Sequence, residues 1–181
     1  MVEAAQLFGC GGEMDWSSMF DARVVVFGCG NTLYGDDGMG PLAIKALQDR
    51  GDLGQEVACI DAGTSIRPLL FDLILSDKHP EQVIIIDTTT DDDIKPGEVR
   101  EIDISRVDPK KISDFSMHQF PTTNLLKELQ ETTDIKLSII VVRAAHIPEK
   151  MQEGLSPEVQ KALDEVQTKV LQLVNSEVQK L

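Results

Sequence analysis

Four side chains in this sequence have the chemistry and the setting to hold a divalent cation. Asp37 lies in Gly35-Asp36-Asp37-Gly38, shortly after the apolar run Val24–Phe27. Asp61 opens Asp61-Ala62-Gly63-Thr64, Asp87 follows the apolar run Val83–Ile86, and His118 lies in Ser116-Met117-His118-Gln119. Taken singly, an Asp after a buried strand is commonly an Asx-turn or a helix cap. Three carboxylates on one edge of one sheet repel one another at neutral pH, and a bound cation offsets that repulsion. If its loop returns to the same edge, His118 adds a nitrogen. A mixed nitrogen and oxygen site with open positions suits nickel or zinc.

Neighbouring candidates read differently. One Asp is enough to cap a helix, so Asp36 is assigned as the structural cap of the helix that follows, leaving Asp37 to face the strand end. Asn caps about as well, so Asp36→Asn is expected to keep most activity. His146, in Ala144-Ala145-His146-Ile147-Pro148, also follows an apolar run and is kept as a residue that supports the ligands from behind. His79, in Asp77-Lys78-His79-Pro80, has a surface-loop composition and is set aside. Cys29 has no second cysteine at ligand spacing and reads as a small buried residue. The run from Gly28 to Gly40 fails as a dinucleotide fingerprint, because Leu33 stands where the third glycine should let helix and strand meet. It also fails as a P-loop, lacking Lys-Ser or Lys-Thr, and adjacent carboxylates would repel a phosphate.

The elements that must position these residues follow from hydrophobic periodicity. Short, β-branched apolar runs at Val24–Phe27, Val57–Ile60, Val83–Ile86 and Leu137–Val142 have the length and continuity of buried parallel strands. Residues 98–104 mix polar and apolar residues as an edge strand does. Between the strands, apolar residues recur at helical spacing: Met39 to Leu47, ending at Gly51; Leu69 to Ile74, with Pro68 in the first turn; and Leu125 to Leu129. A final helix starts at Ser156-Pro157 and carries an apolar stripe from Val159 to Val174. This alternation predicts a three-layer α/β/α sandwich around a mostly parallel five-stranded sheet with one antiparallel edge strand. In such sheets, sites form at the carboxyl ends of the strands, where the three Asp residues fall.

Composition bounds the partners. The 181 residues suffice for one full core, read as a single domain over 23–181 behind a partly ordered N-terminal extension over 1–22. A net charge of -14 disfavours nucleic acid and anionic membrane surfaces, both of which select Lys and Arg clusters. Three scattered cysteines do not make a disulfide framework and fit a reducing cytoplasm. No apolar run approaches the roughly 18 residues needed to span a bilayer. The first twenty residues hold no Lys or Arg, so there is no signal-peptide n-region.

Four blocks together resemble a known family. Phe27-Gly28-Cys29-Gly30-Asn31 with Gly35-Asp36-Asp37-Gly38 and Gly40, then Asp61-Ala62-Gly63-Thr64, then Asp87 after Ile84-Ile85-Ile86, then His118-Gln119, are similar to the ordered signatures of the nickel-iron hydrogenase maturation endopeptidases. The likeness covers roughly residues 23–175. It implies an aspartic or metal-dependent type of peptidase that removes the C-terminal extension of a hydrogenase large-subunit precursor once nickel is inserted, with the substrate's own nickel as the recognition signal. By position, Asp37, Asp87 and His118 contact the metal, and Asp61 matches an acid near it that positions or does acid–base work. The family carries Glu or Asp at the Asp37 position. Because such a site only half-coordinates its ion, the free enzyme is expected to be largely metal-free. The Gly35-Asp36-Asp37-Gly38 run resembles the branch serving the deazaflavin-reducing hydrogenases of methanogens. Two rivals remain: a metal-sensing chaperone that holds the precursor without cutting it, and a nucleotide-binding α/β protein, against which the missing glycine argues.

Overall fold

The computed structural model describes residues 16–102 and 122–178. A 3-10 turn at Trp16–Phe20 leads into β1 (Val24–Cys29). A second 3-10 turn at Gly35–Gly38 precedes α1 (Met39–Arg50), followed by β2 (Val57–Gly63), α2 (Ile66–Leu75), β3 (Gln82–Thr89) and β4 (Val99–Ile102). Then come α3 (Thr122–Thr132), β5 (Lys136–Arg143) and α4 (Pro157–Val178). The sheet order is β2-β1-β3-β5-β4, with β4 antiparallel to β5 and every other pair parallel.

Both faces of the sheet are covered, which is why β1 and β3 are apolar along most of their length rather than alternating. Val25, Phe27, Val83 and Ile85 pack with Leu69, Leu70 and Leu73 of α2 and Leu126 and Leu129 of α3. Met19 of the first 3-10 turn is buried in the same core. On the other face, Val24, Val26, Ile84 and Ile86 pack with Met39, Ala43 and Leu47 of α1 and the Val159–Val174 stripe of α4. Among the described residues no helix is long and apolar enough to cross a membrane.

Helix ends follow local chemistry. α1 stops at Gly51, whose φ of 67° provides the left-handed cap. α4 opens on Pro157, whose missing N–H is no loss in a first turn. Two strands run past their apolar cores. β2 continues through Asp61 to Gly63, and β3 through Asp87 to Thr89, because pairing of β3 with β5 persists to Thr89↔Arg143. Asp61 and Asp87 therefore lie within the last residues of their strands rather than behind them. The described part of the edge strand starts at Val99, and residues 103 and 104 of its expected span lie outside the described residues.

The close approach of helix and strand, for which Leu33 looked too large, happens elsewhere. Leu33 is exposed, and α1 crosses β1 at Gly40 over Gly28. A methyl group on Gly28 would stand 2.5 Å from Ile44 Cγ1. One on Gly40 would strike the backbone of Cys29 and lie 2.8 Å from the Ile86 carbonyl oxygen. Backbone cannot move aside as a side chain can, so Gly40→Ala should destabilise the protein despite alanine's higher helix propensity. The expected loss is about 1–3 kcal/mol, read as a lowered urea midpoint. Gly54→Ala, whose methyl would meet only the flexible Glu56 carboxylate, should leave the midpoint nearly unchanged.

Candidate functional site

After Cys29 the chain turns through Gly30, held by its N–H donating to the Gly63 carbonyl of β2 (2.9 Å), and winds into the Gly35–Gly38 turn. This turn carries both acids of the first loop, and both are buried. Asp37 is held through both carboxylate oxygens. The Asn31 N–H donates to Oδ2 (2.9 Å), and the Thr88 hydroxyl at the end of β3 donates to Oδ1 (3.3 Å). Asp87 is fully buried, with the Thr88 N–H donating to its Oδ1 (2.7 Å). Asp61 is half-buried, and its Oδ1 accepts from the Gly63 N–H (2.9 Å) in an Asx-turn.

The structure brings these three carboxylates to the same edge of the sheet. β1 is flanked by β2 and β3, with Gly28 in register with both Asp61 and Ile86. Cys29 thus sits between the three acids. Burial first, and then the charges of Asp87, Asp61 and Asp37 in that order, push its thiol well above the ordinary range. Such a thiol stays protonated and inert at neutral pH, in keeping with a packing role. Burial also pushes the Cys59 thiol up, to about 12. Buried carboxylates of this kind are hard oxygen donors suited to a divalent ion. His118 lies outside the described residues. Among the described residues no group of three His, Cys, Asp or Glu side chains is placed to hold a metal. Beside Asp61 an open cleft of about 280 Å³ is lined by Gly30, Asn31, Pro41, Gly63 and Thr64.

Asp36 is structural, but it caps no helix. Neither the Gly35–Gly38 turn nor α1 has a side-chain cap. Instead the fully buried Asp36 carboxylate accepts four hydrogen bonds from the segment between β5 and α4. Ala145 N–H and His146 N–H donate to Oδ2 (2.8 Å each), Ser156 N–H to Oδ1 (2.6 Å), and Ser156 Oγ to Oδ2 (3.0 Å). One carboxylate therefore clips both feet of the 145–156 loop. The loop also pairs with the first loop itself, through Gly35 N–H to the Gln152 carbonyl (2.7 Å) and Gln152 N–H to the Leu33 carbonyl (2.9 Å). His146 takes part through its backbone, its residue being exposed, so the supporting role expected of its side chain is not seen. His79 is exposed, as its loop composition suggested. Sequence reasoning missed Asn31 and Thr88 as the partners of Asp37. It also missed every partner of Asp36, since nothing in the sequence ties residue 36 to residues more than a hundred positions away.

This removes the capping argument on which Asp36→Asn was expected to keep most activity. All four groups facing Asp36 donate, and asparagine would turn an NH₂ donor toward some of them. Asp36→Asn should cost about 2–4 kcal/mol in urea denaturation. Ser156→Ala, which removes the hydroxyl but keeps the N–H donor, should cost less, about 1 kcal/mol.

The hydrogenase maturation protease family (HycI) matches residues 41–173. The chain is 35% identical over 150 residues to coenzyme F420 hydrogenase subunit delta of Methanothermobacter thermautotrophicus, covering 80% of this chain and 89% of that protein. It is 28% identical over 151 residues to the hydrogenase 2 maturation protease of Escherichia coli, covering 82% and 88%. The solved structure of the hydrogenase maturating endopeptidase HybD from E. coli superposes with a TM-score of 0.70 at 25% identity, covering 85% of this chain and 93% of that one. A likeness that runs through sequence and fold alike over most of the chain makes this protein a member of the hydrogenase maturation protease family.

Proposed function

We propose that this protein is the endopeptidase that removes the C-terminal extension of a nickel-iron hydrogenase large-subunit precursor after nickel insertion, using the substrate's nickel for recognition. The observation that carries the reading is the placement of Asp37, Asp61 and Asp87 at the carboxyl ends of three adjacent strands, near enough to Cys29 for each charge to bear on its thiol. The likeness to coenzyme F420 hydrogenase subunit delta favours a deazaflavin-reducing hydrogenase as the enzyme served. The setting is the cytoplasm, where the precursor is made.

In this reading Asp37, Asp87 and His118 meet the nickel that the precursor carries, and the free enzyme is largely metal-free because three side chains leave the ion's shell incomplete. The two acids suit that task because hydrogen bonds already orient them, so little reorganisation accompanies docking. Asp61 lines the open cleft, and among the described residues one of its oxygens is engaged by its own turn, which leaves the other to orient the substrate or to move a proton. Hydrolysis adds a water's hydroxyl to the scissile carbonyl carbon and breaks the C–N bond. The water's remaining proton ends on the departing amine.

Nickel-loaded precursor incubated with the purified protein should be shortened at its C-terminus, while metal-free precursor should stay intact. A stable uncut complex would instead mean a chaperone. Asp87→Asn and His118→Ala should each slow processing at least about 100-fold, the loss expected when a charge-stabilising group is removed. Asp87→Asn keeps an oxygen for the Thr88 N–H, and the melting temperature of each variant separates lost folding from lost chemistry. Near-normal cleavage by either variant would refute the assignment. Chelator-washed protein should carry far less than one equivalent of nickel or zinc by elemental analysis.

A further inference from the structure

The two outer strands of the sheet are unlike. β4 presents Arg100 and Glu101 to solvent, as guarded edges do. β2, Val57-Ala58-Cys59-Ile60-Asp61-Ala62-Gly63, holds no Lys, Arg or Pro, and no strand pairs with its outer side among the described residues. In a parallel pair, alternate residues turn both N–H and C=O toward the same neighbour. Glu56 and Gly63 face β1, accepting from the Val24 N–H (3.1 Å) and the Gly30 N–H (2.9 Å). Allowing for the register shift between Gly28 and Cys29, the outward residues are Val57, Cys59 and Asp61. Two outward groups are already engaged. The Val57 N–H donates to the Gly54 carbonyl (3.1 Å), and the Cys59 carbonyl accepts from Gln48 Nε2 (2.9 Å). Gln48 is exposed, and its amide supplies a donor where the next strand of a longer sheet would supply a peptide N–H. Among the described residues nothing engages the Cys59 N–H or the backbone of Asp61, which leaves them for a further strand. At the carboxyl end this edge opens into the cleft lined by Asp61 and Gly63.

We propose that β2 receives an extended segment of the precursor's C-terminal region as an added strand, which delivers the bond to be cut to the carboxylates. The inference rests on the endopeptidase reading and names how that substrate is held. Strands lie about 4.8 Å apart, so the added strand would run about 14 Å from β3 and Asp87. An extended chain rises about 3.3 Å per residue, so roughly four residues beyond the Asp61 end cross to the site. Backbone pairing supplies affinity without demanding a particular sequence. That suits a segment that must be grasped and then released.

Hydrogen exchange and processing kinetics on the full chain with nickel-loaded precursor test this. Saturating precursor should slow exchange of the amides in residues 57–63. Cys59→Pro removes an outward N–H, a change tolerated at sheet edges. It should raise KM about five- to tenfold, as loss of a hydrogen bond predicts, with kcat within about twofold. Gln48→Ala frees the Cys59 carbonyl for the incoming strand and should lower KM about two- to threefold, so a Cys59→Pro chain that fails to fold still leaves a test. Unprotected β2 amides, or an unchanged KM for Gln48→Ala, would overturn the inference. So would protection that grows with enzyme concentration alone, which would mean a β2-to-β2 dimer of this chain. Precursor that protects β2 yet is never cut would overturn the endopeptidase reading and keep the docking strand.

Discussion

The arrangement around the site hangs on one buried carboxylate. Asp36 holds Ala145, His146 and Ser156 through four hydrogen bonds, and by doing so fixes the start of α4, the 145–156 loop and the first loop against one another. Ser156 is the joint. Its hydroxyl donates to Asp36 while accepting from the Val159 N–H at the start of α4 (3.5 Å), so the helix whose apolar stripe packs on one sheet face is registered to the site through it. A buried carboxylate with no partners would be costly, and one surrounded by donors is not. The long-range contact is therefore directional as well as close, since all four groups aim a donor at one carboxylate.

Adjacent acids take opposite tasks because of the turn they share. A 3-10 turn has three residues per turn, so successive side chains point about 120° apart. Asp36 is thereby directed to the 145–156 loop and Asp37 to Asn31 and Thr88. In a strand neighbouring residues divide the same way, by alternation. Asp87 shares the parity of Val83 and Ile85 on the α2 and α3 face, and Thr88 that of Ile84 and Ile86 on the α1 face, where it meets Asp37. The site draws on both faces of the sheet at once, which only residues at the very end of a strand can do.

This explains which parts of the structure could be read in the sequence. Among the described residues the strands and α1 to α4 are local in origin, written as apolar periods, and Gly51 and Pro157 end and begin helices as their chemistry dictates. That Asp61 and Asp87 lie at the carboxyl ends of their strands followed from where the apolar runs stop. What escaped was set by contacts between distant residues. Asp36 looked like a local cap because capping is a short-range use of an Asp before a helix. Leu33 looked obstructive because the fingerprint spacing assumes a particular loop, whereas here the helix crosses the strand several residues later, at Gly40. The end of β3 was drawn too short because pairing with β5, rather than its own residues, carries the strand through Asp87.

The net charge of -14 finds only a small part of its explanation at the site. Asp37 and Asp87 are buried and held by neighbouring donors, whereas Asp91, Asp92 and Asp93 lie in an exposed or half-buried turn, with Asp92 paired to Arg143 (2.9 Å). The same residue type does different work according to where water is. The acids enclosed with donors are preorganised and change little when a partner arrives, while Asp61, half-buried at the cleft, still faces solvent. Burial therefore separates two carboxylates enclosed with donors from one that borders the open cleft. In the proposed reading a single docking event engages both, because the strand that carries Asp61 on its outer edge lies two strands from the one that carries Asp87.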